Sequence, residues 1–241
     1  MANKRVCNIT CAVLLTAAVV LGICFPALST AESSILDRPV KFDSSGESGL
    51  DAILRFGSEN KISMGLVFTS RLCATRISRL SIHTSSARKA LPELAREVPS
   101  YIWRLEDNTV ILAPNDMPAP MSTFLALSVP DYSIPEETLQ AQVLYAWMDI
   151  RSSLRPNEGT ALNILTSPTY AKWPSLTFSN LNVEQVLNHL IARKGGGVWI
   201  LLPFDDIEKA GNKRPFWVTG YSDDPQGRAA SCASIEAEVM K

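Results

Sequence analysis

Histidine is almost missing from the 241 residues; there are two, His83 and His189. Neither has a second histidine or a cysteine at ligand spacing, which removes the common zinc patterns. The chain also lacks a basic excess, with 23 Lys and Arg against 24 Asp and Glu and a formal charge of −1. A nucleic-acid binder carries a basic surplus or patch, so that class is set aside. No Gly-x-Ser-x-Gly elbow occurs, so a Ser-His-Asp site would have to assemble from distant residues. Disorder is excluded by what remains: apolar residues make up 46% and aromatics 7% of the chain, enough to build a core.

Charge is absent in one place above all. Lys4 and Arg5 are followed by an uncharged run from Val6 to Leu28, with an apolar heart from Ala12 to Leu21. Pro26 breaks it, and Ser29-Thr30-Ala31 puts small residues at −3 and −1 of a cut after Ala31. Basic start, apolar run and small-residue exit are the order of a secretory signal. If it is not cleaved, the run is long enough to anchor the chain in a membrane. Leu21-Gly22-Ile23-Cys24 is a poor lipoprotein signal, because bulky Ile23 precedes the cysteine. Removal of residues 1–31 takes two basic residues and leaves a charge of −3. Of the five cysteines only Cys73 and Cys232 then remain. Export permits them to pair, and their spacing leaves open whether they pair or stay free.

The mature chain alternates strand and helix signals. Val40–Asp43 alternates as a half-buried strand does, and Leu50, Ile53, Leu54 and Gly57 recur at helical spacing. Ile62, Met64, Leu66 and Phe68 return to strand spacing. Leu80 and Ile82 mark another strand, and Ser86 stands before the stripe Ala87, Ala90, Leu91, Leu94, Ala95 and Val98. Pro92 falls inside that stripe and predicts a kink or a late start, since an interior proline costs about 3 kcal/mol. Tyr101–Leu105 and Thr109–Leu112 read as a hairpin around Glu106-Asp107-Asn108. Three prolines make residues 113–121 a linker. A strand near Thr123–Val129 follows, then a helix from about Glu136 to Arg151, with Ser133 and Glu136 at capping-box spacing. Leu176–Phe178 is a strand, and Asn182 caps a helix with Gln185 three residues on. Gly195-Gly196-Gly197 closes that helix, and Val198–Leu201 is a strand.

Shifting residues 176–201 back by 96 superimposes them on 80–105 without a gap. Ten positions are apolar in both segments, where about six would coincide by chance. Trp103 falls on Trp199 and Leu91 on Leu187, in a shared order of strand, cap, helix and Trp-bearing strand. The reading is an α+β fold of repeated β-α-β-β modules, with small mixed sheets each packed against helices. Its parts are a signal at 1–31, a module at 32–115, a related module at 121–220, and a mobile tail at 221–241 with a short helix near 235–240.

Leu80-Ser81-Ile82-His83, Ala90-Leu91-Pro92-Glu93-Leu94-Ala95 and the run Tyr101–Leu112 resemble the short N-terminal domain shared by secretins and TonB-dependent receptors. Leu176–Leu201 resembles its first part again, and Val40–Phe68 does so more faintly. The resemblance implies a small envelope domain that docks other proteins through sheet edges and helix faces. It implies no catalytic residue, and neither a pore nor an outer-membrane barrel is expected beside the domain here.

The remaining candidates are few. Trp173 and Trp217 stand in loop-like surroundings and are the candidate ligand-facing aromatics for a glycan or small ligand. Asp205-Asp206 and Asp223-Asp224 are too sparse in oxygen ligands for calcium loops. The expectation is therefore an exported, non-enzymatic interaction protein of the bacterial cell envelope, periplasmic or secreted, with an envelope protein as partner and with no metal or cofactor. A cell-wall glycan or small-ligand binder is the alternative, and an enzyme with a dispersed site comes third.

Overall fold

A computed structural model describes residues 35–156, 172–192, 196–221 and 231–239. The expected signal and its exit at Ala31, the residues Gly195 and Asp223-Asp224, and the segment 157–171 lie outside the described residues.

The elements are β1 (Val40–Ser44), α1 (Gly49–Asn60), β2 (Met64–Val67), α2 (Ser70–Ala74), β3 (Leu80–Thr84), α3 (Ala87–Arg96), β4 (Tyr101–Glu106) and β5 (Thr109–Pro114). Then come α4 (Ala119–Ala126), β6 (Ser128–Val129), β7 (Tyr132–Ile134), α5 (Leu139–Leu154), β8 (Leu176–Phe178), β9 (Leu181–Asn182) and α6 (Val183–Ile191). The chain continues through β10 (Gly197–Leu201), α7 (Ile207–Asn212), β11 (Phe216–Gly220) and α8 (Cys232–Val239).

The protein is α+β. Its centre is a five-stranded mixed sheet in the order β11-β10-β2-β5-β4. β2 runs parallel to both β10 and β5, whereas β11 and β4 pair antiparallel at the two ends. The sheet therefore takes strands from both halves of the mature chain. Smaller antiparallel pairs join β1 to β3, β6 to β9 and β7 to β8.

Alternation along the central strands divides the interior in two. Met64, Leu66, Val110, Leu112, Val198 and Ile200 point to one core, which β1, β3, α1 and α3 cover with Phe42, Ile82, Leu50, Phe56 and Leu91. Val67, Ile111, Trp199, Leu201 and Phe216 point to the other, covered by α4, α5 and α6 with Phe124, Val143, Trp147, Val186 and Leu190. Strands β2, β5 and β10 are buried along their whole length, as strands packed on both faces must be. Gly65 of β2 leaves space that the Trp199 ring fills. A Cβ there would overlap that ring and come within 2.7 Å of Ile111 Cδ1.

The expected repeat is not reproduced element for element: β3-α3-β4-β5 is answered by β8-β9-α6-β10-α7-β11, and the places in the sheet differ. β4 stands at an edge with β5 as its neighbour, whereas β10 lies inside between β11 and β2. The shared pattern thus records strand and helix order and leaves open which strand becomes an edge.

Several local expectations are corrected. Helix α3 runs through Pro92 from Ala87, with no late start, because Ala87, Ala90, Leu91 and Leu94 all bury against the first core. Ser86 precedes it without a side-chain cap bond. The region taken as linker and strand holds α4 instead, with Pro118 at its N-cap and Pro120 in its first turn, where proline is tolerated. A two-residue strand, β6, is what remains of the strand expected at Thr123–Val129. Helix α5 is capped by Thr138, which accepts from the Ala141 N–H at 3.3 Å, and Ser133 lies in β7. Thr138→Ala is expected to cost about 1 kcal/mol, and Ser133→Ala close to nothing, in urea unfolding; equal effects would refute this cap. Asn182 and Gln185 do form a reciprocal capping box on α6. That helix ends at Ile191 with Ala192 as its cap, ahead of the glycines; Gly196 has φ +89° and Gly197 opens β10.

The segment read as a mobile tail carries α8. Its Ile235 is fully buried in the first core. Cys232 at its start is disulfide-bonded to Cys73 at the end of α2, with Cα atoms 5.6 Å apart.

Candidate interaction edge

One group of polar side chains that could do chemistry lies on the β1–β3 pair. Ser81 Oγ donates to Asp43 Oδ1 at 2.6 Å, and His83 Nε2 lies 3.8 Å from the same oxygen. The Ser81 hydrogen bond is the main reason the Asp43 carboxyl sits below its usual range. A nucleophilic triad needs the histidine between serine and acid. Here the acid stands between the other two, and all three side chains are exposed on a strand surface. His189 is exposed on α6, its ring 5.8 Å from Phe178. Among the described residues no three His, Cys, Asp or Glu side chains are grouped to hold a metal ion.

Trp173 is not a surface aromatic. It is completely buried in the second core. A two-way backbone bridge with Glu137 ties it down, and its ring lies against Gly220, where a Cβ would come 3.2 Å from Cζ2. Its place before Pro174 marked a loop correctly but said nothing about depth. Trp217 sits on β11 opposite Ile200 and is half-buried against the first core. The two tryptophans face different cores, so the structure does not bring them together. Asp205 and Asp206 are exposed, and Asp206 caps α7 by accepting from the Glu208 N–H.

The unsatisfied surface is on β4. Ile102 is 56% exposed and Leu105 36%, and they are the exposed large hydrophobic residues among those described. Both lie on this one edge strand, with half-buried Trp103 between them. The β4–β5 turn is Asp107-Asn108, with φ of 48° and 61°, the two left-handed residues of a tight hairpin turn. Glu106 and Thr109 flank it as partners, so Ile102, Arg104 and Glu106 direct their backbone groups toward β5. The backbone groups of Trp103 and Leu105 point outward, consistent with the Tyr101 N–H turning away from β5 to the Val98 carbonyl.

Side chains alternate with the same period. Trp103 and Leu105 lie on the face of the first core, and Ile102, Arg104 and Glu106 on the face of α6. Arg104 makes a forked ion pair with Glu184, donating from Nη1 to Oε1 at 2.7 Å and from Nη2 to Oε2 at 2.5 Å. Nη1 also donates to Glu106 Oε2. Glu184 is buried in the first turn of α6, where the helix N-terminus favours an anion. Burial, then the neighbouring Glu184, pushes the Glu106 carboxyl above its ordinary value, and Asp107 adds to the effect. One cation thus serves two acids, Glu184 and Glu106, a local surplus of one negative charge. Sequence alone marked β4 as a strand. Adjacent apolar residues at 102 and 103 break strict alternation, and that was the available signal that both faces of this strand want cover.

No family model, curated protein or solved structure matches the chain.

Proposed function

We propose that this is an exported, non-enzymatic interaction module of the bacterial cell envelope, which receives an extended segment of an envelope protein along the free edge of β4. The observation that carries this reading is the placement of Ile102 and Leu105 on an edge strand with outward-facing backbone groups. Soluble proteins usually blunt such edges with charge, bulges or covering loops, because an open edge is a template for strand addition. A strand laid against β4 would satisfy the backbone of Trp103 and Leu105 and remove apolar surface from water on both faces. The Cys73–Cys232 bond supports the exported reading, since such bonds persist in oxidising compartments. The resemblance to secretin and receptor short N-terminal domains agrees with docking by sheet edges.

The test places a photo-crosslinking residue at position 102 and, as control, at exposed Lys89 on α3. Position 102 is expected to capture one envelope protein that position 89 does not, and Leu105→Lys is expected to abolish that product. Identical products from both positions, or a product indifferent to the Leu105 change, would overturn the proposal.

A further inference from the structure

We infer that the segment received by β4 is an antiparallel strand with a basic side chain opposite Glu106 and apolar side chains opposite Leu105, Trp103 and Ile102. This rests on reading β4 as the docking edge, and it goes further in naming the chemistry of the partner. The outward backbone groups fix which residues of β4 bond an antiparallel partner, and the charge cluster then sets the register. Trp103 and Leu105 are the residues that hydrogen-bond the incoming strand, so the side chains opposite them lie on the first-core face. Those opposite Ile102, Arg104 and Glu106 lie on the α6 face. On that face Arg104 is already engaged by Glu184 and Glu106. What the cluster lacks is a second cation: Glu106 and buried Glu184 share one guanidinium, and Asp107 follows Glu106 in the turn. A lysine or arginine directly across the ladder from Glu106 supplies it, and directly opposite side chains of opposite charge stabilise a strand pair. A second copy of β4 would bring an Arg104 already paired with its own Glu184 and Glu106. Read from its N-terminus, the partner segment is basic, apolar, polar, apolar, apolar.

The probe is a synthetic peptide with the central sequence Lys-Val-Thr-Val-Ile flanked by serines, labelled for fluorescence anisotropy. Matched peptides carry Gln or Glu in place of Lys. The Lys peptide is expected to bind about two- to fivefold more tightly than the Gln peptide, the range of an exposed charge pair. The Glu peptide should bind more weakly than either. Glu106→Gln is expected to erase the preference while binding of the Gln peptide persists, and added salt should narrow the gap. If all three peptides bind equally and Leu105→Lys abolishes them, the charge assignment fails and the docking edge stands. If none binds and position 102 captures no partner, both fail. A dimer in sedimentation that Leu105→Lys dissolves makes a second copy the occupant and overturns the inference.

Discussion

Replacing Cys73 and Cys232 together by serine is expected to lower the stability of the oxidised protein by about 2–5 kcal/mol. The bond spans a sequence separation of 159 residues, and a long loop is where cross-linking removes the most freedom from the unfolded chain. It fixes α8, which puts Ile235 into the first core and brings Cys232 Sγ within 3.2 Å of the Ser48 hydroxyl at the cap of α1. The loss should therefore be felt locally as well as globally. Hydrogen exchange in α8 should accelerate more than in β2 or β10, because a helix of eight residues has little stability once untied. Urea unfolding with and without a dithiol reductant is the measurement. The reductant should bring the wild type to the midpoint of the serine variant and leave the variant unmoved. An unchanged midpoint in the double variant would refute the role assigned to this bond.

Gly65→Ala is expected to destabilise the protein by about 1–3 kcal/mol, the usual range for overpacking a core. The glycine is chosen by close approach: the Trp199 ring and Ile111 occupy the space a methyl group would need. The ring cannot easily retreat, because its N–H donates to the buried Asn188 Oδ1 at 2.8 Å. Trp199→Leu on its own is expected to cost more, about 3–5 kcal/mol by analogy with other large truncations, since it opens a cavity and leaves Asn188 without that donor. Combined, the two changes should be less harmful than their sum, because the added methyl fills part of the vacated space. A coupling of roughly 1 kcal/mol is the scale for residues in contact. Strict additivity in denaturant unfolding would show that the ring and residue 65 do not share that space.

Most elements were legible along the chain because their signals are local. The stripes of α1, α3 and α6, the cap at Asn182 and the hairpin around Asp107-Asn108 each depend on residues within one or two turns. Misreadings arose where two local signals competed. Pro118 and Pro120 read as a linker, yet they sit at the start of α4, the one stretch of a helix that tolerates proline. Ser133 and Glu136 matched a capping spacing, while Thr138 three residues before Ala141 took the role.

The candidate site was the least legible part. Trp173 and Trp217 were singled out by loop-like neighbours, and burial is set by what packs above a residue, which here includes Gly220 for Trp173. The exposed edge of β4 was passed over because β4 and β10 carry nearly the same pattern. Trp103 and Trp199 align in sequence, yet one lies half-exposed on an edge strand and the other is sealed between β2 and α6.

By itself the sequence determined the α+β class, the alternation of strand and helix, the absence of a metal-ligand pattern and the near-balance of charge. These follow from residue type and short-range periodicity. Tertiary structure alone decided that one sheet draws its strands from both halves, that Cys73 meets Cys232, that the Asp43-Ser81-His83 group is ordered wrongly for a nucleophile, and that Ile102 and Leu105 stay in contact with water. Each of those depends on which strands become neighbours. Neighbour choice is fixed by packing two cores across β2, over separations that no local pattern encodes.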